Sequence, residues 1–154
     1  MIEGARASLV DRLIDRDPRS SQEARPLRIL DRRAMKESVR RDLGWLLNTR
    51  SPVPPKQLEG QDRTVVNYGI PDFAALSAQN PDDRRRLALD VLRTVNAYEP
   101  RLKHVRVVVD EHRDDEKSLR VRIDALLSAG GIEEPVSFGA IVQSSTGEAV
   151  MDAI

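Results

Sequence analysis

Two histidines, His104 and His112, and 25 acidic residues are the groups with which this 154-residue chain could do acid–base or metal chemistry. Neither set is spaced for it. The histidines have no helical HExxH spacing and no cysteine to complete a site, so they make a poor metal pair. The acids fall mostly in hydrophilic runs, Asp82-Asp83, Asp114-Asp115-Glu116 and Glu133-Glu134. A glycosidase needs two carboxylates at a fixed separation, one with its pKa raised by an apolar pocket. Ser144 and Ser145 lack a nucleophile-elbow context, and Gly130-Gly131 reads as a hairpin turn without a phosphate-loop pattern. The expectation is no catalytic residue, no metal site, no cofactor and no small-molecule substrate.

The sharpest local feature is Glu99-Pro100-Arg101. Glu99 falls at the end of a predicted helix, where a negative charge is unfavourable unless compensated. Pro100 cannot continue the helix and fixes an extended exit. Glu99 and Arg101, two apart on that exit, then project to the same side, and a guanidinium suits bidentate pairing with a carboxylate. Two readings stay open and are compatible: an internal brace between helix and strand, or a docking site for a partner. Tyr68-Gly69-Ile70-Pro71-Asp72-Phe73 reads as a structural turn, with Gly69 free to take a positive φ and Pro71 stiffening it. Arg84-Arg85-Arg86 lies beside Asp82, Asp83 and Asp90 and reads as a solvated helix face.

Composition narrows the partners. Lys plus Arg total 25, matching the acids, so the formal charge is zero and long-range steering toward nucleic acid or anionic membrane is weak. Only five aromatics are present (Trp45, Tyr68, Phe73, Tyr98, Phe138), too few for a base-stacking platform. Absence of cysteine fits a reducing compartment. No apolar run nears the roughly 20 residues of a membrane span, and the charged N-terminus lacks a signal-peptide core. These features predict a cytoplasmic protein with no nucleic-acid partner and no membrane insertion.

Apolar spacing predicts the elements that hold these residues. Ala5 to Arg16 places Leu9, Val10, Leu13 and Ile14 on one stripe of a short amphipathic helix. That helix is too short to be stable alone in water, so the stripe needs a surface, on its own domain or on a partner. Asp17 to Pro26 reads as a flexible connector. Asp31 caps a helix to about Leu47, with Met35, Val39, Leu43, Leu46 and Leu47 inward. A long loop to about Asp62 follows, and Thr64 to Val66 reads as a short strand. Asn80-Pro81-Asp82-Asp83 starts a helix to about Tyr98, with Leu87, Ala88, Val91, Leu92 and Val95 inward. The period then changes to two: Val105, Val107, Val109; Leu119, Val121, Ile123, Ala125; and Val136, Phe138, Ala140, Val142. The expected fold is α+β: an antiparallel sheet of about three to four strands, covered on one face by two main helices, with an N-terminal helical arm. Residues 1–26 would be the arm and linker, and 27–154 the α+β domain.

Four segments in series resemble the TssE branch of the phage gp25-like baseplate wedge family. They are Ser8-Leu-Val-Asp-Arg-Leu-Ile-Asp15, Glu37 to Arg50 with its Leu-Leu-Asn-Thr-Arg ending, Asn67 to Phe73, and Tyr98-Glu-Pro-Arg-Leu102. The resemblance implies a structural role in the baseplate of a type VI contractile injection system. Its implied partners are other baseplate wedge subunits and the contractile sheath proteins, whose strands would extend this sheet. It also favours partner contact at Glu99, Pro100 and Arg101; the amphipathic stripe of Leu9, Leu13 and Ile14 offers a second contact, with packing on its own domain equally open. Two alternatives remain open: an anti-adaptor-type binding module of the same fold, and a lysozyme-like glycosidase, a label some phage members once carried.

Overall fold

A computed structural model describes residues 5–14, 18–20, 29–58, 60–111 and 118–152. Its elements run β1 (Ala5–Arg6), α1 (Leu9–Leu13), β2 (Ile29–Leu30), α2 (Arg32–Asn48), α3 (Pro55–Leu58), α4 (Pro81–Tyr98), β3 (Leu102–Glu111), β4 (Ser118–Ala129), β5 (Ile132–Gln143) and β6 (Ala149–Met151). The last four form one antiparallel sheet in sequence order, and β1 pairs with β2 in a separate ribbon. The α+β expectation holds, with four strands in the main sheet and two long helices.

The helices form where caps and spacing put them. The Asp31 carboxylate accepts from the Ala34 N–H at 2.8 Å, and the Asn80 side chain accepts from the Asp82 N–H at 2.9 Å. Such caps satisfy amide donors that have no intrahelical partner. Met35, Val39, Leu43, Leu46 and Leu47 of α2 are buried, as are Leu87, Val91 and Val95 of α4. They meet Leu119, Val121, Ile123 and Leu127 of β4 and Val136, Phe138, Ala140 and Val142 of β5 in one core. Strict alternation on β4 and β5 follows from the two-residue period of a strand.

On β3 the alternation breaks once. Lys103 pairs with Leu126 and Arg106 with Asp124, so two residues oppose one, and His104 there has φ 52°. This bulge resets the pleat. Leu102, at an even position, can therefore share the core with Val105, Val107 and Val109, at odd ones.

Three expectations change. Thr64 to Val66 is no strand: Val65–Asn67 is a 3₁₀ turn, held because the Asn67 side-chain oxygen accepts from the Thr64 N–H at 2.7 Å. Val65 and Val66 are exposed there, so their β-branched side chains find no sheet to join. The first helix is only Leu9–Leu13, because Ser8 caps it through the Asp11 N–H at 3.1 Å and Ala5–Arg6 pairs with Ile29–Leu30 instead. The long loop holds a further turn of helix, Pro55–Leu58. Of the Asp17 to Pro26 connector, residues 17 and 21–26 lie outside the described residues, as do His112 and the acidic run at 114–116.

Candidate functional site

Glu99 follows the last turn of α4, its N–H donating to the Val95 carbonyl at 2.9 Å. Pro100 is exposed, and the chain turns so that the Leu102 N–H reaches the Glu99 carbonyl at 3.1 Å. This turn folds Arg101 back onto Glu99. Its Nε donates to one carboxylate oxygen at 2.6 Å and its Nη2 to the other at 2.5 Å, the two-pronged pairing a planar guanidinium allows. Glu99 is only 4% exposed, so its charge needs this partner.

Arg101 also crosses to α2. Its Nη2 donates to Asp42 at 2.6 Å and its Nη1 to the Ser38 hydroxyl at 2.9 Å. Asp42 in turn accepts from Arg41 Nη2 at 2.7 Å, and Arg41 Nη1 reaches Asp11 of α1 at 2.6 Å. The result is an alternating line, Glu99–Arg101–Asp42–Arg41–Asp11, that ties α4, α2 and α1 together. Asp11 is 2% exposed and accepts further bonds from the Ser8 hydroxyl at 2.7 Å and the Ser38 hydroxyl at 2.8 Å. Burial alone would raise the Asp11 pKa. Hydrogen bonds from Arg41, Ser8 and Ser38, with the Arg41 charge, hold it at about 2. Burial likewise opposes the Arg101 cation, and Glu99 and Asp42 overcome it, raising the Arg101 pKa.

An open groove lies over this line. Its rim is apolar and aromatic, with Val10, Trp45, Tyr68, Tyr98 and Pro100, while Asp42, Glu99 and Arg101 line its charged part. Trp45 is 48% exposed, with the Arg41 guanidinium 4.9 Å from its ring centre. Tyr68 and Tyr98 meet edge to face, centroids 5.0 Å apart. Such a rim presents anchoring surface around a charge pair. Among the described residues, no three metal-ligating side chains cluster, and no helix is long and apolar enough to cross a membrane.

The other predicted residues fall around this site. Leu9, Val10, Leu13 and Ile14 all face outward, at 68%, 41%, 74% and 41% exposure, while Asp11 is the inward residue of α1. Tyr68 lines the groove. Gly69 has φ 110°, and a Cβ there would run into the Thr49 carbonyl, so the turn requires glycine. That close approach lets Ile70 donate its N–H to the Thr49 carbonyl and accept from the Ser51 N–H, both at 2.9 Å. Pro71 is buried behind it, and Asp72 caps the following turn through the Ala74 N–H at 3.0 Å. Arg50, just after α2, lies 4.5 Å from the Phe73 ring centre and donates to the Gly147 carbonyl.

Asp11, Ser38, Arg41 and Asp42 were not singled out by sequence reasoning. The Ser8-x-x-Asp11 spacing of a capping box was a signal for the first. Nothing local marks the others as one network, because the links from Ser38 and Arg41 to Asp11 and from Arg101 to Ser38 and Asp42 span 27 to 63 residues.

A family model described as Baseplate wedge protein gp25 matches residues 33–131. The fold is similar to a chain in a solved structure of the baseplate complex from the type VI secretion system. That alignment has a TM-score of 0.50 and 20% identity, and covers 71% of this chain and 94% of the other. At that identity the likeness establishes the fold. No curated protein matches the chain.

Proposed function

Because the match spans 99 of 154 residues, the chain belongs to the gp25 baseplate wedge family of structural baseplate components, and we propose that it serves in a type VI contractile injection system. In this reading it is a TssE-type subunit. It contacts other wedge proteins and docks the first ring of sheath subunits by accepting their strands onto its sheet. The observation that carries the proposal is that family match, laid on a fold whose main sheet ends at β3 with no further strand beside it among the described residues. The likeness to a chain of a type VI baseplate complex supports the choice among contractile systems.

Two surfaces suit wedge contacts. The groove over Glu99, Pro100 and Arg101 offers exposed Trp45 and Pro100 beside charges that are already paired internally, so a partner would read a preformed surface. Brace and docking site are then one structure. The second surface is α1 and its C-cap, where Leu9 and Leu13 are largely exposed and Ile14 partly so, and a neighbour would bury them. The reading is non-enzymatic, with no cofactor, and places the protein on the cytoplasmic side of the system.

The experiment is co-purification of the full chain with the wedge and sheath proteins of the same system. Leu9→Asp with Leu13→Asp should leave the melting temperature unchanged, since both side chains are exposed, and should abolish wedge binding. A wild-type chain that binds no wedge or sheath protein would overturn the proposal, and so would peptidoglycan cleavage lost on removal of one acid.

A further inference from the structure

The N-terminal arm, residues 5–14, is fastened to the domain by polar contacts more than by apolar burial. Its buried apolar side chains are two alanines, Ala5 and Ala7. Leu9 and Leu13 are largely exposed, and Val10 and Ile14 partly so. By contrast, α2 buries Met35, Val39, Leu43, Leu46 and Leu47. β1 adds two residues of pairing, Ala5 with Leu30 and Arg6 with Ile29, in a ribbon separate from the main sheet. α1 is five residues long, too short to hold a helix without a surface to lie on. Segments with few buried apolar contacts are the ones that open below the global unfolding free energy.

One side chain supplies most of the fastening. Among the described residues of the arm, Asp11 is the one buried polar group, and its carboxylate reaches Arg41 Nη1 and the Ser38 hydroxyl on α2. Neither partner depends on it. Arg41 keeps Asp42 through Nε at 3.0 Å and Nη2 at 2.7 Å, and Ser38 keeps Arg101 Nη1 at 2.9 Å. Arg101 holds Glu99 and Asp42 without help from the arm. When Asp11 leaves, its carboxylate and the freed Nη1 regain water, which offsets much of the lost attraction. The domain side of the line stays paired with the arm on or off.

The arm's position gives its opening a consequence. Arg6, Ser8 and Val10 line one groove with Asp42, Trp45 and Pro100. With the arm away, the groove loses that wall and one negative charge, and Arg41 Nη1 is left bare beside Trp45. We propose that residues 5–14 are a strap over the Glu99–Arg101 groove, latched by Asp11 on Arg41 and Ser38, that opens as a unit while the domain beneath stays folded. Closed, it narrows the groove; open, it offers a wider and more positive one.

Opening needs no partner, so the full chain alone tests it. Amide hydrogen exchange reads the arm at Arg12 and Ile14, whose N–H groups bond to the Ser8 and Val10 carbonyls, and reads α2 at Val39 and Leu43. Quenching of Trp45, the chain's single tryptophan, by uncharged acrylamide reads the groove. Asp11→Asn should speed exchange at Arg12 and Ile14 at least about tenfold and raise the quenching, with Val39 and Leu43 unchanged. A disulfide staple separates opening of the arm from fraying of α1. Arg6 and Ile29 are exposed partners across the β1–β2 ladder, where Cα atoms stand about 5 Å apart, within disulfide reach. The chain has no cysteine of its own. In Asp11→Asn carrying Arg6→Cys and Ile29→Cys, oxidation should return exchange and quenching to wild-type levels, and reduction should release them. α2 amides that speed up with the arm, or an Asp11→Asn chain that does not fold, would show one cooperative unit and overturn the strap. Faster arm exchange with unchanged Trp45 quenching, or an oxidised staple without effect, would mean that α1 frays by itself, and overturns it too. No change in Asp11→Asn leaves no latch and overturns it as well. Should the disulfide not form, exchange and quenching in Asp11→Asn alone still decide.

Discussion

Asp11→Asn isolates the charge that fastens the N-terminal arm to α2. Asp11 is nearly isosteric with Asn, so packing is kept while the negative charge facing Arg41 is lost. The magnitude comes from linkage. A carboxyl held at about 2 against an ordinary value of 3.8 stabilises the folded state at pH 7 by about 2 kcal/mol. The sign is that of a depressed acid: the contribution is complete above pH 4 and is lost as pH falls from 3.8 through 2. About half of it survives at pH 3. Urea unfolding of wild type and Asp11→Asn at pH 7 and pH 3 should therefore show a gap of about 2 kcal/mol that narrows to about 1. An equal gap at both pH values would mean that charge is not what Asp11 contributes. No gap at pH 7 would mean that the arm opens without cost and that the Asp11–Arg41 contact adds nothing to stability.

Three further substitutions probe the frame around the site. Arg101→Lys keeps the charge but has no planar fork to serve Glu99, Asp42 and Ser38 at once, so unfolding free energy should drop by about 1–3 kcal/mol in denaturant melts. Gly69→Ala forces a side chain into φ 110° and against the Thr49 carbonyl. It should cost about 1–3 kcal/mol by thermal melting and loosen the Thr49–Ile70 bond. Asn48→Ala removes both side-chain bonds to Ala149, and the Ala149 amide should exchange at least about tenfold faster while β4 amides hold their protection.

Much of the scaffold was readable because it is written in local periods. Met35, Val39 and Leu43 recur at helical spacing and are buried; Leu119, Val121 and Ile123 alternate and are buried. Caps at Asp31 and Asn80 sit where their side-chain chemistry puts them. Thr64-Val65-Val66 shows the limit of that reading. Its β-branched residues predict a strand, but a single side-chain oxygen on Asn67 closes a tight turn first, and no neighbouring strand competes for the segment. The stripe on α1 shows another. Leu9 and Leu13 have the spacing of a buried face, yet Asp11 turns inward because Arg41 and the Ser38 hydroxyl, both on α2, join the Ser8 cap in offsetting its desolvation.

By itself the chain's order of residues determined the two long helices and the three long strands of the main sheet, and that net charge is zero. It also placed Glu99 and Arg101 two apart across a proline, so that they could meet. Tertiary structure alone decided what they meet: Ser38 and Asp42 lie 63 and 59 residues from Arg101, and only packing α4 beside α2 brings them within 3 Å. It alone decided which sheet edge is closed, since Asn48 and Ala149 are 101 residues apart and lie next to each other only because α2 ends against β6. Periodicity reports how a residue relates to its near neighbours in sequence. Charge pairing and edge protection depend on neighbours in space, and those exist only once the helices have docked on the sheet.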